Sequence, residues 1–216
     1  MTEEKQHYDF ELNLDNPSNV HGIEMAMISE GSLVLDIGCH TGIMGDVLQK
    51  RKKAKVIGID TDINALRIAR ERLQAALLID IEQKDWADNL LREGYHNFDT
   101  ILFGDVLEHT TSPERILQNA KGLLKPDGQI IVSVPNVANW RIRFGLLFGR
   151  FEYTDSGILD RTHLRFFTKK TAHSLLTDAG YNVVNTEVAG YALPHWLIKM
   201  FPGLFAVQIV MSAKPF

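Results

Sequence analysis

Cysteine is nearly missing from this chain: one residue, Cys39, in 216. A single thiol excludes an internal disulfide framework and suits a reducing compartment. Long apolar runs are missing too. No stretch of about eighteen apolar residues occurs, which argues against a membrane-spanning helix. Neither sign of charge dominates, and a formal net charge of -4 gives no global attraction to nucleic acid or to an anionic membrane. That leaves room for a local basic patch, but no nucleic-acid partner is expected. His, Cys and acidic residues do not recur at metal-ligand spacing, so no metal is expected either. The opening "MTEEKQHYDF" lacks the apolar core of a signal peptide, and the expectation is a cytoplasmic protein. What is present is ordinary globular composition, 45% hydrophobic and 23% charged, in a length that suits one domain with a full core.

The chain alternates between short apolar runs and helical patterns. "VHGIEMAMISEG" reads as a helix ending near Gly31. Five runs then read as strands: "SLVLDIG", "AKVIGID" (54–60), "AALLID" (75–80), "FDTILFGD" (98–105) and "GQIIVSVPN" (128–136). Apolarity without alternation marks strands buried on both faces of a parallel sheet. Between them "GIMGDVLQKRKK", "INALRIARERLQ" and "SPERILQNAKGLL" have helical spacing, the last with Pro113 in its first turn. This rhythm predicts a doubly wound α/β sheet whose ligand crevice lies at the ends of the first strands. Residues 137–168 break the rhythm and read as a lid or substrate insertion. "KKTAHSLLTDAGY" resumes as a helix, and "YNVVNTEVAG" and "FAVQIVMSAKP" read as two last strands. One domain spanning 1–216 is expected: a cap segment 1–30, a core 31–136, the insertion 137–168 and a C-terminal part 169–216.

The stretch "VLDIGCHTG" (34–42) joins the first strand to the first crossover helix. Its glycines, Gly38 and Gly42, followed by Gly45, do not fit the Gly-x-Gly-x-x-Gly spacing of nicotinamide enzymes, and no Gly-Lys-Ser/Thr of a phosphate loop follows. The pattern is an acid, Asp36, two residues before Gly38, with Gly42 four residues on. Glycines permit close approach of the backbone to a ligand, and the carboxylate suits a cation rather than a phosphate. This stretch resembles motif I of class I S-adenosylmethionine-dependent methyltransferases. The resemblance continues through "VIGID", "LLID", "FDTILFGDVLEHTTSPERIL" and "LLKPDGQIIVSVPN", over roughly residues 30–136. It implies a Rossmann-like, mostly parallel seven-stranded sheet with an antiparallel last strand and helices on both faces. It also implies S-adenosyl-L-methionine as cofactor and S-adenosyl-L-homocysteine as product. Asp36, Gly38, His40, Gly42, Asp60, Thr61, Asp80, Ile81 and Asp105 are the implied cofactor-binding residues. Among them Asp60 is implied to hold the ribose hydroxyls, Asp80 the adenine amine with Ile81 beside the ring, and Asp105 the methionine end. Asp85 is an alternative to Asp80. His40 stands where the motif has its middle glycine, which means either tolerated variation or an altered cofactor site.

Asp105, Glu108 and His109 form an acid–base group after the fourth strand. His163, in "DRTHLRFFT", is the first candidate for a general base, and His109 the second; both also suit structural roles. The insertion carries more arginines than acids, interleaved with aromatic residues. Arg141, Arg143, Arg161, Arg165 and Tyr153 are the candidate substrate-binding residues, because guanidinium groups favour phosphate or carboxylate. "DRTHLRFFT" is similar to segments of methyltransferases of sugar and cell-envelope biosynthesis and of methyltransferase-like proteins of methionine biosynthesis. The expected function is O-methylation, rather than N-methylation, of a small anionic or sugar-like acceptor by a monomer or homodimer. The rival is a cofactor-binding regulatory or scaffold protein that engages a protein partner.

Overall fold

A computed structural model describes residues 14, 16, 18–190 and 193–216; most of the expected cap segment before residue 18 lies outside them. The five apolar runs form strands β1 (Leu33–Ile37), β2 (Lys55–Asp60), β3 (Ala75–Leu78), β4 (Phe98–Gly104) and β5 (Leu124–Pro135). In β1, Leu35 and Ile37 face one hydrophobic core and Val34 the other, which is why the run is apolar throughout. With β6 (Tyr181–Ala189) and β7 (Gln208–Pro215) they make one seven-stranded sheet, ordered β3-β2-β1-β4-β5-β7-β6. β1 to β5 pair in parallel, and β7 runs antiparallel between β5 and β6. The chain steps outward from β1 to β3 and then returns to place β4 on the other side of β1. This reversal opens a crevice at the carboxyl ends of β1 and β4.

Helices cover both faces. α1 (Val20–Met27) is capped by the Asn19 side chain, which accepts the Gly22 N–H. It stops at Met27, earlier than Gly31, because Ile28 is already extended. α2 (Ile43–Lys52) and α3 (Ile63–Arg72) follow β1 and β2, and Asp62 caps α3 by accepting from Asn64 and Ala65. α4 (Trp86–Arg92), unexpected from the sequence, buries Trp86 and Leu90. α5 (Pro113–Ala120) starts on its proline as expected. The irregular insertion contains a helix, α6 (Trp140–Leu147), with no buried residue. α7 (Lys169–Asp178) has a Thr168–Thr171 capping box, and Gly180 follows it at φ +85°. Two short helices, α8 (His195–Met200) and α9 (Pro202–Phe205), lie between the last strands. No described helix is long and apolar enough to cross a membrane.

Candidate active site

The sheet beneath builds the glycine turn. Gly38 and Cys39 both donate their N–H groups to the Ile59 carbonyl, at 2.9 and 3.1 Å, tying the end of β1 to β2. Gly38 has φ +71°, and a Cβ there would lie 2.8 Å from Val106 Cγ2; backbone and space both demand glycine. Gly42, at φ +75°, turns the chain into α2. His40 has φ +47°, and its N–H donates to Asp60 Oδ2 at 2.8 Å. The Asp62 N–H donates to the other Asp60 oxygen, also at 2.8 Å. Two backbone donors thus fix the Asp60 carboxylate, and each oxygen keeps a lone pair for a further donor. Thr61 is exposed beside it. Beyond β3, Asp80 accepts from Glu82 N–H at 2.9 Å and from Gln83 Nε2 at 3.2 Å, and Ile81 packs half-buried against the core. Asp85 is exposed, precedes α4 and pairs with Arg92 at 3.5 Å.

Beside the turn lies a group of buried carboxyls. Asp36 is 5% exposed, and its Oδ2 has no hydrogen-bond partner among the described residues. Burial first, then the Glu24 carboxylate, push its carboxyl up to about 7. Glu24, on α1, is buried; one oxygen meets His21 Nδ1 at 3.1 Å and the other is unpartnered among the described residues. A Cβ on Gly104 would stand 3.2 Å from that second oxygen, which places Glu24 over the end of β4. Asp105 follows with φ +51°. Ser133 Oγ accepts its N–H at 2.9 Å and donates to its Oδ1 at 3.1 Å, while Gln208 Nε2 donates to the other oxygen. Burial, then Glu24, push this carboxyl up to about 6. Unpartnered carboxylate oxygens favour a cation, and the glycine turn favours a ligand lying against backbone, so the site fits a cofactor with sulfonium and ammonium charges. Sequence reasoning missed Glu24, Ser133 and Gln208. Only Glu24 carried a signal, as the one acid on a helix whose other residues, His21 apart, are apolar or glycine; the others reach Asp105 through strand register.

The structure brings His109 and His163 together, with ring centroids 4.8 Å apart and edge-on. The turn Leu107–His109 after β4 is stitched to the insertion, for the Glu108 carbonyl accepts from Leu164 N–H at 2.8 Å and Arg165 N–H at 3.0 Å. His163 Nδ1 lies 3.2 Å from the Ile158 carbonyl and His109 Nδ1 3.3 Å from that of Thr162. A carbonyl only accepts, so each Nδ1 carries its ring's proton and each Nε2 keeps a lone pair. Burial holds His163 below the usual histidine range, in its neutral form at pH 7. Glu108 is 1% exposed, and burial, then Asp105, raise its carboxyl well above the usual range. A cavity of about 250 Å³ opens here, lined by Asp105, Glu108, His109, Gly157, His163 and Gln208 among others.

The arginines of the insertion do not line this cavity. Arg141 stacks over Trp140 at 5.6 Å, and Arg143 donates to the Ala138 and Gly203 carbonyls. Arg161 pairs with Asp155 at 2.7 Å, and Arg165 donates to the Thr111 carbonyl. Tyr153 is exposed, 5.7 Å edge-on from Phe151.

A family model described as "Methyltransferase domain" matches residues 7–186. The chain is 32% identical over 126 residues to a ubiquinone biosynthesis O-methyltransferase of Coxiella burnetii, covering 58% of this chain and 53% of that protein. It is 37% identical over 110 residues to the protein so named in Actinobacillus pleuropneumoniae, covering 49% and 47%. The chain spans about half the length of the curated relatives it matches. Among solved structures, a SAM-dependent methyltransferase from Archaeoglobus fulgidus superposes with TM-score 0.62 at 16% identity over 91% of this chain and 95% of that one. A possible histamine N-methyltransferase from Thermotoga maritima does so with TM-score 0.63 at 19% identity over 91% and 87%. At these identities the likeness is one of fold.

Proposed function

The chain belongs to the methyltransferase-domain family, with S-adenosyl-L-methionine as cofactor, and on that premise we propose that it methylates a hydroxyl of a small acceptor. One observation carries the reading: the glycine turn, with Asp60 held by the His40 N–H, lies against Val106, and the neighbouring Asp105 lines the cavity of the His109–His163 pair. The cofactor, when bound, supplies an activated methyl group. The residues of the chain hold it, align the acceptor and take up the acceptor's proton, and alignment is where most of the rate arises. Asp60, held by two backbone donors, is oriented to receive the ribose hydroxyls. The Nε2 of His163, neutral and aimed from a cavity wall, is the group that accepts the hydroxyl proton, with His109 beside it. O-methylation rather than N-methylation agrees with the names of the curated relatives. Convergence of ionisable groups on the cavity favours transfer over a scaffold role. Arg141, Arg143, Arg161 and Arg165 would meet an anionic or sugar-phosphate portion of the acceptor at the rim, by exchanging their present local partners.

The test is a calorimetric titration of S-adenosyl-L-methionine and S-adenosyl-L-homocysteine into the chain and its Asp60→Ala variant. The expected result is micromolar binding, about -8 kcal/mol, weakened by at least about tenfold in the variant, the equivalent of one 1.4 kcal/mol interaction. Unchanged affinity in Asp60→Ala would remove Asp60 from the ribose position.

A further inference from the structure

The fold brings His163 to the adjacent residues Glu108 and His109, so that three ligand-type side chains surround one point. Among Glu108, His109 and His163, one ligating atom of each lies within 4.8 Å of the others. Both carboxylate oxygens of Glu108 are buried and have no hydrogen-bond partner among the described residues. A buried carboxylate without donors is costly unless something cationic faces it. The two histidines present Nε2 lone pairs, since each Nδ1 is directed at a backbone carbonyl, Ile158 or Thr162. A second nitrogen tied to a carbonyl is the usual outer arrangement of a metal-bound imidazole, fixing its tautomer and orientation. We propose that Glu108, His109 and His163 form a divalent transition-metal site in the wall of the acceptor cavity.

Two imidazoles and one carboxylate are the ligand set of ions of the zinc, manganese and cobalt type, with the remaining positions open to water or substrate oxygen. For bonds of about 2.1 Å, tetrahedral ligand atoms stand about 3.4 Å apart. The present spread of up to 4.8 Å would have to close to that value on binding, and His109 is the exposed member of the three. Sequence spacing hides the site, because His163 reaches Glu108 only through the bonds from Leu164 and Arg165 to the Glu108 carbonyl. Placed there, the ion lies beside Asp105 and Gln208 in the same cavity. With the ion bound, His163 Nε2 is a ligand and no longer the base: an acceptor hydroxyl on an open position would become more acidic, release its proton to solvent, and be held as the anion that attacks the methyl carbon. That role rests on the methyl-transfer reading; occupancy of the site does not.

The test uses tag-free full chain, stripped with a chelator and titrated separately with Co2+ and Mn2+. The expected result is a single equivalent of each, seen as visible d–d absorption for Co2+ and as loss of the free-ion resonance for Mn2+. His109→Ala, whose side chain is exposed, should fold normally and weaken binding by at least about 100-fold, since even outer partners of a ligand cost 10–100-fold. His163→Ala and Glu108→Gln should do the same, whereas His173→Ala, remote on α7, should bind as the parent does. Absence of d–d bands, or equal affinity in parent and His109→Ala, would overturn the site. Titration of S-adenosyl-L-methionine into the same samples separates the two readings. Cofactor binding without metal binding sinks the site alone, and metal binding without cofactor binding sinks the methyl-transfer reading alone.

Discussion

His40 and Asp105 are both non-glycine residues at positive φ, at the ends of two neighbouring strands. Lys53 and Asn97 share that backbone, but in exposed turns. Left-handed backbone costs an ordinary side chain roughly 1 kcal/mol. At Asp105 the bonds to Ser133 and Gln208 hold the conformation, and at His40 the N–H bond to Asp60 does so. His40→Gly keeps that bond and removes the strain. It should raise unfolding stability by about 1 kcal/mol, read from urea midpoints at constant slope. Catalysis is probed at His163. His163→Ala should slow methyl transfer to the true acceptor by roughly 10²–10⁴-fold, with calorimetric cofactor affinity unchanged because the glycine turn and Asp60 are untouched. An unchanged single-turnover rate would rule out its role in transfer.

At the scale of elements, β2 leaves room for the turn through Gly58. A Cβ there would meet Cys39 Sγ at 2.5 Å and Leu73 Cδ1 at 2.7 Å. Gly58→Ala must push Cys39, next to Gly38 and His40, or displace α3. A loss of about 1–3 kcal/mol is expected from such overpacking, seen as a lower melting temperature. The strands were legible in the sequence because burial on both faces leaves unbroken apolar runs, as in "VLDI" and "VIGI". α4 was not, because seven residues are too few to display a helical period, and α6 was not, because Trp140, Phe144, Leu146 and Leu147 surround its axis and lie exposed. The glycine turn was legible since its residues are local, Gly38 just past β1, Gly42 at the start of α2 and Asp60 at the end of β2. His163 and His109 were each singled out, but their meeting depends on backbone bonds between the turn after β4 and the insertion. No local pattern encodes that contact.

For the whole molecule, the buried carboxyls set the response to pH. Asp36 and Asp105 hold their protons in the folded state up to about 7 and about 6, whereas in the unfolded chain they release them near 4. Below both values the two states bind equal protons. Between them only the folded state does, so stability falls as pH rises, by about 1.4 kcal/mol per unit for each group. Although burial alone would lower it, His21 is raised by its bond to Glu24 and by the charges around it, and its stabilisation likewise fades as pH rises through its folded value. Asp99 and Asp160 are lowered, by Lys125 and by Thr162 against a burial contribution, so their stabilisation is complete above about pH 4 and leaves the higher range unaffected. Glu108, raised by burial, adds to this slope, while His163, lowered by burial, opposes it below about pH 6.5. With the carboxyls prevailing, the ligand-free protein should melt several degrees higher at pH 5 than at pH 8, at about 2–4 °C per kcal/mol. Bound S-adenosyl-L-methionine should narrow that gap, because its cationic charge favours the ionised carboxyls. Thermal melts at both pH values, with and without it, check both statements.

The strand order also bears on synthesis. β7 fills the slot between β5 and β6, although it is translated after both. Until residues 208–215 leave the ribosome, the side of β5 that β7 covers stays unpaired, including its apolar stretch 130–134. The crevice beside β1 and β4 can be assembled earlier, but Gln208, which holds Asp105, arrives only with β7. Closing the sheet and locking Asp105 in place are thus a single late event in the life of each newly made chain, and the interval before it is when ribosome-bound chaperones have an edge to protect.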